Sequence, residues 1–292
     1  MKLTLLTGLI AAILGGLTAG SRAAPTYSLF NPGDYAVLTN DFSVTGGATV
    51  IAIDTKDGTA SPTWMYGSTN FTGLIVTNQS AKVVMALFTF GNLAISNGVS
   101  CTVTGNLGLV LACTGNMTLG NTIDLSGKSS TISGGPGGPG GEAGVRATCF
   151  TSAPPTAVHG QGGGLNQNGT GYGGGQSGPN NFSAGGGGYG GVGGYGASGG
   201  PPAETAPGGT NYGDSALANL CGGSGGAGAG SGYGGGGGGA LELIANGTLT
   251  ITATATQRVN GGDGYSNGRG GGGGSGGYGL AECQKDPACV LG

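Results

Sequence analysis

The sequence predicts a mainly β protein: an N-terminal β-solenoid or β-sandwich followed by a bundle of polyglycine II helices, with little or no α-helix after a signal peptide. Two observations support this. Of the 292 residues, 75 are glycine, and most lie between Gly134 and Gly279 in triplets of the form Gly-Gly-X. Before that stretch, short β-branched and aromatic runs alternate with turn residues, a pattern typical of strands.

Residues 1–23 have the composition of a secretory signal peptide. Lys2 gives a charged start, Leu3 to Leu17 form an apolar run, and Ser21-Arg22-Ala23 offers a small-x-small cleavage site. The apolar run is too short for a comfortable membrane span. The sequence therefore predicts a secreted, extracellular protein without a membrane span.

Cysteines and glycosylation motifs agree with secretion. Six cysteines, an even number, suit an oxidising compartment, and Asn-x-Ser/Thr motifs are acceptors for N-linked sugar. The predicted disulfides are Cys101–Cys113, Cys149–Cys221 and Cys283–Cys289. The alternative is a disulfide cross-link between chains. The predicted glycosylation sites are Asn70, Asn78, Asn116, Asn168, Asn181 and Asn246.

Residues 24–133 form the predicted β-rich region. As far as about Thr77 the strand-like runs are short and irregular. From Val83 to Leu125, pairs of apolar residues follow one another at short, nearly even spacing, with Asn-Gly or Gly-Asn at several breaks. This spacing favours stacked coils of a β-solenoid or a tight meander. A sandwich is the alternative, because its strands recur about every eight to twelve residues.

Residues 134–279 form the predicted glycine-rich region. Their period of three matches the polyproline II geometry, which has three residues per turn. It matches neither the period of about 3.6 of an α-helix nor the period of about 2 of a strand. Such a helix has no internal hydrogen bonds, so neighbours or water must satisfy its backbone. The all-glycine runs Gly234–Gly239 and Gly270–Gly274 are predicted to lie inside the bundle. A disordered linker is the alternative.

A strand pattern returns at residues 240–260, and the chain ends in a short tail. Leu241 to Ile244 and Leu249 to Ile251 are apolar runs that lead into further glycines, which repeats the order seen at Leu125. Residues 280–292 contain Cys283 and Cys289 and are predicted to form a disulfide-closed tail.

These features resemble secreted glycine-rich proteins in which a short β-helix carries Gly-Gly-rich arms. The glycine-rich region is similar to the polyglycine II bundles of springtail-type antifreeze proteins and of some phage tail adhesins. The resemblance implies a polyglycine II bundle, with ice binding or adhesion as associated roles. It rests on Gly134 to Gly141, Gly185 to Gly196, Gly222 to Ala227 and Gly270 to Gly277.

Residues that could carry out catalysis are scarce. The single histidine, His159, lies in a loop of Pro, Ala and Gly, and the 12 acidic residues are scattered, whereas acid–base chemistry needs a positioned His or paired carboxylates. The best remaining set is Asp124, Asp263 and Arg269. Glycine repeats that bind calcium carry an aspartate at the sixth position, which the candidate segments here lack. The sequence therefore predicts no enzyme, no cofactor and no metal site.

Tyrosine and threonine offer candidate surfaces. Seven of the ten tyrosines lie in the glycine-rich region, where their amphipathic rings either shield the bundle or make adhesive, inter-subunit or cross-linking contacts. The predicted surface contacts are Tyr172, Tyr189, Tyr195, Tyr233, Tyr265 and Tyr278. A row of alternating threonines is either an ice-binding face or a solvated β face; it comprises Thr250, Thr252, Thr254 and Thr256.

The low charge of the chain limits the kinds of partner that it can attract electrostatically. Charged residues make up 7% of the chain and the net charge is −3, so there is no electrostatic attraction to nucleic acid or an anionic membrane. Uncharged glycine backbone edges invite lateral pairing, as open sheet edges do. We therefore expect a non-enzymatic structural glycoprotein that self-associates into, or attaches to, an extracellular fibre, wall or matrix, with glycans as possible partners. The alternative is a soluble ice-binding or glycan-binding protein.

Overall fold

The computed structural model describes residues 30–46, 50–56, 59–77, 84–131, 162–178, 183–197, 205–213, 221–266, 270–283 and 290–291. The described chain is mainly β, as predicted, and its one helical element is a 3-10 turn at Pro32–Asp34. No helix among these residues is long and apolar enough to cross a membrane. Several predictions lie outside the described residues: the signal peptide, Gly134 to Gly141, Asn78, Asn181, Cys149, Cys289, His159 and Arg269.

Seventeen strands are described. They are β1 (Thr39–Val44), β2 (Val50–Asp54), β3 (Thr63–Tyr66), β4 (Thr69–Thr72), β5 (Leu74–Thr77), β6 (Val84–Ile95), β7 (Ser100–Thr104), β8 (Gly108–Cys113), β9 (Met117–Leu119), β10 (Ile123–Asp124), β11 (Gly196–Ala197), β12 (Thr205–Ala206), β13 (Ala240–Ala245), β14 (Leu249–Ile251), β15 (Gln257–Arg258), β16 (Tyr278–Cys283) and β17 (Val290–Leu291).

Most strands belong to one nine-stranded sheet. Its path is β16-β13-β8-β6-β9-β14-β17, and β1 and β5 also pair with β6. The long strand β6 pairs with β8 along its first half and with β9 along its second half. Every pair in this sheet is parallel except β5–β6, which is antiparallel. A four-stranded sheet, β4-β3-β2-β7, and a pair, β10-β15, lie beside it.

Successive passes of the chain stack in register. Phe90 lies opposite Cys113, and Cys113 lies opposite Ala245, so β6, β8 and β13 occupy equivalent positions in three passes. The strands β9 and β14 repeat this relation, with Met117 opposite Leu249. The chain thus leaves the sheets after β10, passes through the glycine-rich region, and returns at β13 beside the pass that it left.

Aromatic side chains from the N-terminal strands pack in one part of the main core. Trp64 on β3 is fully buried, and its ring lies 5.4 Å from both Phe42 and Phe90, measured between ring centroids. Edge-to-face pairs of this kind stabilise by roughly 0.5–1.5 kcal/mol beyond their buried area. The aliphatic part of this core comes from inward-facing residues of the stacked passes, such as Leu111 and Leu243.

The opposite face of the nine-stranded sheet is buried as well. Val110 and Ile244 pack there beneath Phe30, from the start of the described chain, and Cys221, from the glycine-rich region. As a result every residue of β8 and β13 is buried, as expected for strands covered on both faces.

The glycine segments bond to one another at every third residue. A strand would return to the same partner strand at a period of two. Here the period is three between each of several segment pairs. In one pair of segments, the amides of Gly235 and Gly238 donate to Gly272 and Ser275, respectively. In a second pair, Gly226 and Gly223 donate to Gly235 and Gly238, and in a third, Gly272 and Ser275 donate to Ala227 and Ser224.

Consecutive amides of one segment point to three different neighbours. The backbone N–H groups of Gly234, Gly235 and Gly236 donate to Gly163, Gly272 and Lys128, with N···O distances of 2.9, 2.9 and 3.0 Å. The next segment behaves in the same way, because Gly225, Gly226 and Ala227 donate to Thr170, Gly235 and Gly185. Both segments are therefore held from three sides.

Most of these glycines have no room for a side chain. A Cβ atom on Gly226 would lie within 3.0 Å of the backbone of Gly272, and one on Gly235 would lie as close to the backbone of Gly262. In each case the nearest atom is a carbonyl oxygen, which places a Cα hydrogen against it, the geometry of a weak Cα–H···O contact. Glycine is needed here for close backbone approach and not for a positive φ.

Two predicted disulfides are wrong. Cys101, Cys113 and Cys283 carry free thiols. Cys101 lies opposite Ile51 in the four-stranded sheet, whereas Cys113 belongs to the nine-stranded sheet, so the pair Cys101–Cys113 does not form. Cys283 ends strand β16, where it lies opposite Ala245, so the predicted tail begins as a paired strand and the pair Cys283–Cys289 does not form. Cys221 is disulfide-bonded.

Candidate functional site

The tyrosines differ widely in exposure. Tyr195 is 73% exposed and Tyr172 is 56% exposed, whereas Tyr278 is 3% exposed and packs against the sheet. The prediction of Tyr278 as a surface contact is therefore wrong, because its strand position turns the ring toward the buried outer face of β13. Tyr189 and Tyr233 are half-buried, and Tyr265 is 36% exposed.

Three tyrosines form a cluster on the glycine-rich region. The ring of Tyr212 lies 5.0 Å from that of Tyr189 and 5.6 Å from that of Tyr172, both in edge-to-face geometry. The Tyr212 hydroxyl donates to the Gly222 carbonyl oxygen at 2.6 Å and accepts from the Ser224 hydroxyl at 2.9 Å. Burial raises the pKa of Tyr212, while the bond from Ser224 opposes that shift.

The loop that carries Tyr189 holds two further exposed apolar side chains. It runs through Val192, which is 70% exposed, to Tyr195, and it is tied to the neighbouring segment because Tyr212 and Gly213 both donate backbone bonds to the Tyr189 carbonyl oxygen. We call the five residues Tyr172, Tyr189, Val192, Tyr195 and Tyr212 the tyrosine patch. Tyr212, which the sequence did not single out as a contact, anchors it.

Four of the predicted glycosylation sites are described. Asn70, Asn116 and Asn168 are exposed, and Asn246 is half-buried. The side-chain oxygens of Asn116 and Asn168 accept backbone bonds from Thr248 and Ser177, both at 2.8 Å. These two side chains therefore also have a structural role.

Asn116 belongs to a ladder that joins successive passes at one corner of the fold. The Asn92 amide donates to the Asp41 carboxylate at 2.7 Å, and the Asn92 side-chain oxygen accepts from the Asn116 backbone at 2.7 Å. Asn116 continues the ladder to Thr248. The repeated Gly-Asn dipeptide at 91–92 and 115–116 is the sequence signal for this ladder, which sequence reasoning missed.

A second corner carries an open polar cleft of about 380 Å³. It lies where the chain turns from the nine-stranded sheet to β7 and β10. The polar side chains that line it are Asn97, Ser100, Asn121, Thr122, Asp124 and Thr254, and Cys101 lies beside them. Burial raises the pKa of the Cys101 thiol to about 12, so this group is protonated at neutral pH and is a poor nucleophile.

The threonine row does not form a single face. Strand β14 ends at Ile251, and the chain then turns, with Ala255 donating to the Thr252 carbonyl oxygen at 2.9 Å. The side chains of Thr252 and Thr254 bond to each other at 3.2 Å within this turn. The flat alternating surface expected for Thr250 to Thr256 is therefore absent.

One acidic side chain is buried without a partner. Glu242 on β13 is 0% exposed, and within the described chain neither carboxyl oxygen has a hydrogen-bond partner. Burial raises its pKa well above the usual value, and the charge of Glu282 raises it further. Burial raises the pKa of the nearby Tyr35 phenol, and the charges of Asp34 and Glu242 raise it further.

The candidate acid–base residues are not brought together. Asp124 lies at the polar cleft beside Arg258, its partner in the β10–β15 register. Asp263 lies elsewhere: its side chain accepts a hydrogen bond from the Ser129 hydroxyl, and its backbone carbonyl oxygen accepts one from the Ser130 amide. The described residues contain no group of three His, Cys, Asp or Glu side chains placed to hold a metal ion.

Comparisons with known proteins give no relative. No protein-family model, curated protein or solved structure matches the chain.

Proposed function

We propose that the chain is a secreted, non-enzymatic structural glycoprotein that self-associates into, or attaches to, an extracellular fibre, wall or matrix. In this proposal the stacked passes are coils of a β-solenoid, and the glycine segments are polyglycine II helices. The hydrogen-bond period of three and the three directions of consecutive amides support the second assignment, because a helix with three residues per turn presents its N–H groups in this way.

The observation that carries the proposal is the tyrosine patch on a rigid, uncharged surface. The described stretches 162–178, 183–197 and 205–213 contain no charged residue, so these stretches add no like-charge repulsion to contact between copies. Surfaces with little charge promote association. The backbone that carries the patch is hydrogen-bonded to neighbouring segments and is therefore ordered before any contact forms. Association then costs little further conformational entropy, which favours binding.

Self-association should therefore depend on the patch. We expect the secreted wild-type protein to form oligomers or fibres, seen by sedimentation and electron microscopy. The double variant Tyr172→Ser and Tyr195→Ser should associate at least about tenfold more weakly, which corresponds to about 1.4 kcal/mol. The matched control is Val50→Ser with Met65→Ser, two strand residues that are 50% and 49% exposed. Equal association of the two double variants, or a wild-type protein that stays monomeric, would contradict the proposal.

A second candidate function is glycan binding by the monomer. The polar cleft favours it, because hydroxyl, amide and carboxylate groups converge there in a concave site.

A further inference from the structure

Residues from three corners of different length line the polar cleft. Three residues (120–122) join β9 to β10, whereas four (96–99) join β6 to β7 and five (252–256) join β14 to β15. The middle corner is therefore the shortest of the three. It also lies close to the first corner, since a Cβ atom on Gly120 would lie 2.8 Å from the Asn97 backbone nitrogen.

The lining is polar, compact and mildly acidic. Asn97, Ser100, Thr122 and Thr254 offer side-chain donors and acceptors, and Asp124 supplies the carboxylate. Among the described residues that line the cleft, none is basic and none is aromatic. An anionic ligand would meet the Asp124 charge with no cation among the described lining residues, since Arg258, opposite Asp124 in the β10–β15 register, is not one of them, whereas a neutral ligand rich in hydroxyl groups would find partners of both kinds.

The floor of the cleft holds an acceptor without a donor. Asn121 is 3% exposed; its side-chain nitrogen donates to the Thr122 carbonyl oxygen at 3.3 Å, but its side-chain oxygen has no hydrogen-bond partner. Buried polar atoms are almost always hydrogen-bonded. An unpaired oxygen below a solvent-open cleft therefore points to a ligand that brings an O–H or N–H donor.

The same lining does not support catalysis. Asp124 is the one carboxylate among the described lining residues, whereas glycoside hydrolysis uses a pair of them. The Cys101 thiol is protonated at neutral pH because burial raises its pKa. The chemistry of the cleft is that of binding.

We propose that this cleft binds a neutral carbohydrate, with the Asn121 side-chain oxygen accepting a hydrogen bond from a sugar hydroxyl at the floor and Asp124, Ser100 and Thr254 contacting the ring from the sides. The inference names a site for the second candidate function and does not rest on self-association. The cleft volume of about 380 Å³ falls within the usual range for small-ligand sites, about 300–1,000 Å³.

The test uses the full secreted chain, kept dilute enough to be monomeric by sedimentation. Glucose, galactose, mannose and N-acetylglucosamine are titrated by ligand-observed NMR, with glucuronate as the charged comparison. We expect at least one neutral sugar to bind with a dissociation constant of about 1 mM and glucuronate to bind at least about tenfold more weakly. Binding of none of the neutral sugars, or equal binding of glucuronate, would overturn the inference.

Three variants locate the site. Thr254→Trp fills the cleft and should weaken sugar binding at least about tenfold, whereas Thr256→Trp, at another exposed threonine of the same corner that does not line the cleft, should leave it unchanged. Asn121→Leu should weaken binding similarly with little change in the melting temperature, because it removes an unpaired buried oxygen together with one long hydrogen bond, from the side-chain nitrogen to the Thr122 carbonyl oxygen at 3.3 Å. Sugar binding that survives both Thr254→Trp and Asn121→Leu would overturn the assignment. Loss of self-association in the tyrosine variants leaves this result unaffected, so the two proposals fail separately.

Discussion

Replacing Gly235 by alanine is expected to destabilise the glycine-rich region by about 3 kcal/mol or more, at the upper end of the cost of overpacking a core. The new Cβ atom would lie within 3.0 Å of the Gly262 backbone. The segment cannot move aside cheaply, because Gly234, Gly235 and Gly236 are bonded to three different neighbours. Urea unfolding followed by circular dichroism would measure the change in the free energy of unfolding.

Gly194→Ala is the matched control. No heavy atom lies within 4 Å of a Cβ atom built on Gly194, so the free energy of unfolding should change by no more than about 0.5 kcal/mol, as is usual for surface substitutions. In a flexible linker both glycines would tolerate alanine equally. Similar effects of the two substitutions would therefore contradict the packed arrangement of the segments.

Replacing Glu242 by glutamine is expected to stabilise the protein at neutral pH and to flatten its pH dependence. Burial raises the folded-state pKa of this carboxyl, and Glu282 raises it further. The stability that the protonated Glu242 side chain contributes is therefore fully present below the unfolded-state pKa of about 4.3. It is lost as the pH rises through the folded-state pKa. Between the two values the wild type should lose up to about 1.4 kcal/mol per pH unit relative to the variant.

Unfolding of both proteins between pH 3 and pH 8, an interval chosen to span the unfolded-state value of about 4.3, tests this expectation. Below the unfolded-state pKa the two curves should coincide, because a protonated carboxyl and an amide are both neutral and similar in size; this is the internal control. Above it the wild type should fall below Glu242→Gln. Parallel curves across the whole range would show that Glu242 is not held in the buried environment described for β13.

The sequence could predict features that depend on local spacing. The alternation of apolar residues from Val83 to Leu125 predicted strands, and β6 to β10 occupy that stretch. The return of strands near Leu241 was visible for the same reason. The triplet period indicated three residues per turn, and the backbone bonds recur at that spacing.

The remaining features depend on contacts between distant parts of the chain. Glu242 alternates with Leu241 and Leu243 and reads as a solvent-facing residue, but Phe30 and Cys221 help to cover that face of the sheet. The cleft arises only when the corner at 252–256 lies beside the corner at 120–122, which requires the register across the glycine-rich region. Cysteine spacing could not assign Cys101 and Cys113 to different sheets.

Amide hydrogen exchange of the wild-type protein tests the central claim most directly. The claim is that the glycine segments form a packed bundle in which neighbouring segments satisfy the backbone amides from three sides. We predict that the amides of Gly225 to Ala227 and Gly234 to Gly236 exchange as slowly as those of β8 in the centre of the nine-stranded sheet. Exchange at the rate of an unstructured peptide in these six amides, with β8 still protected, would contradict it.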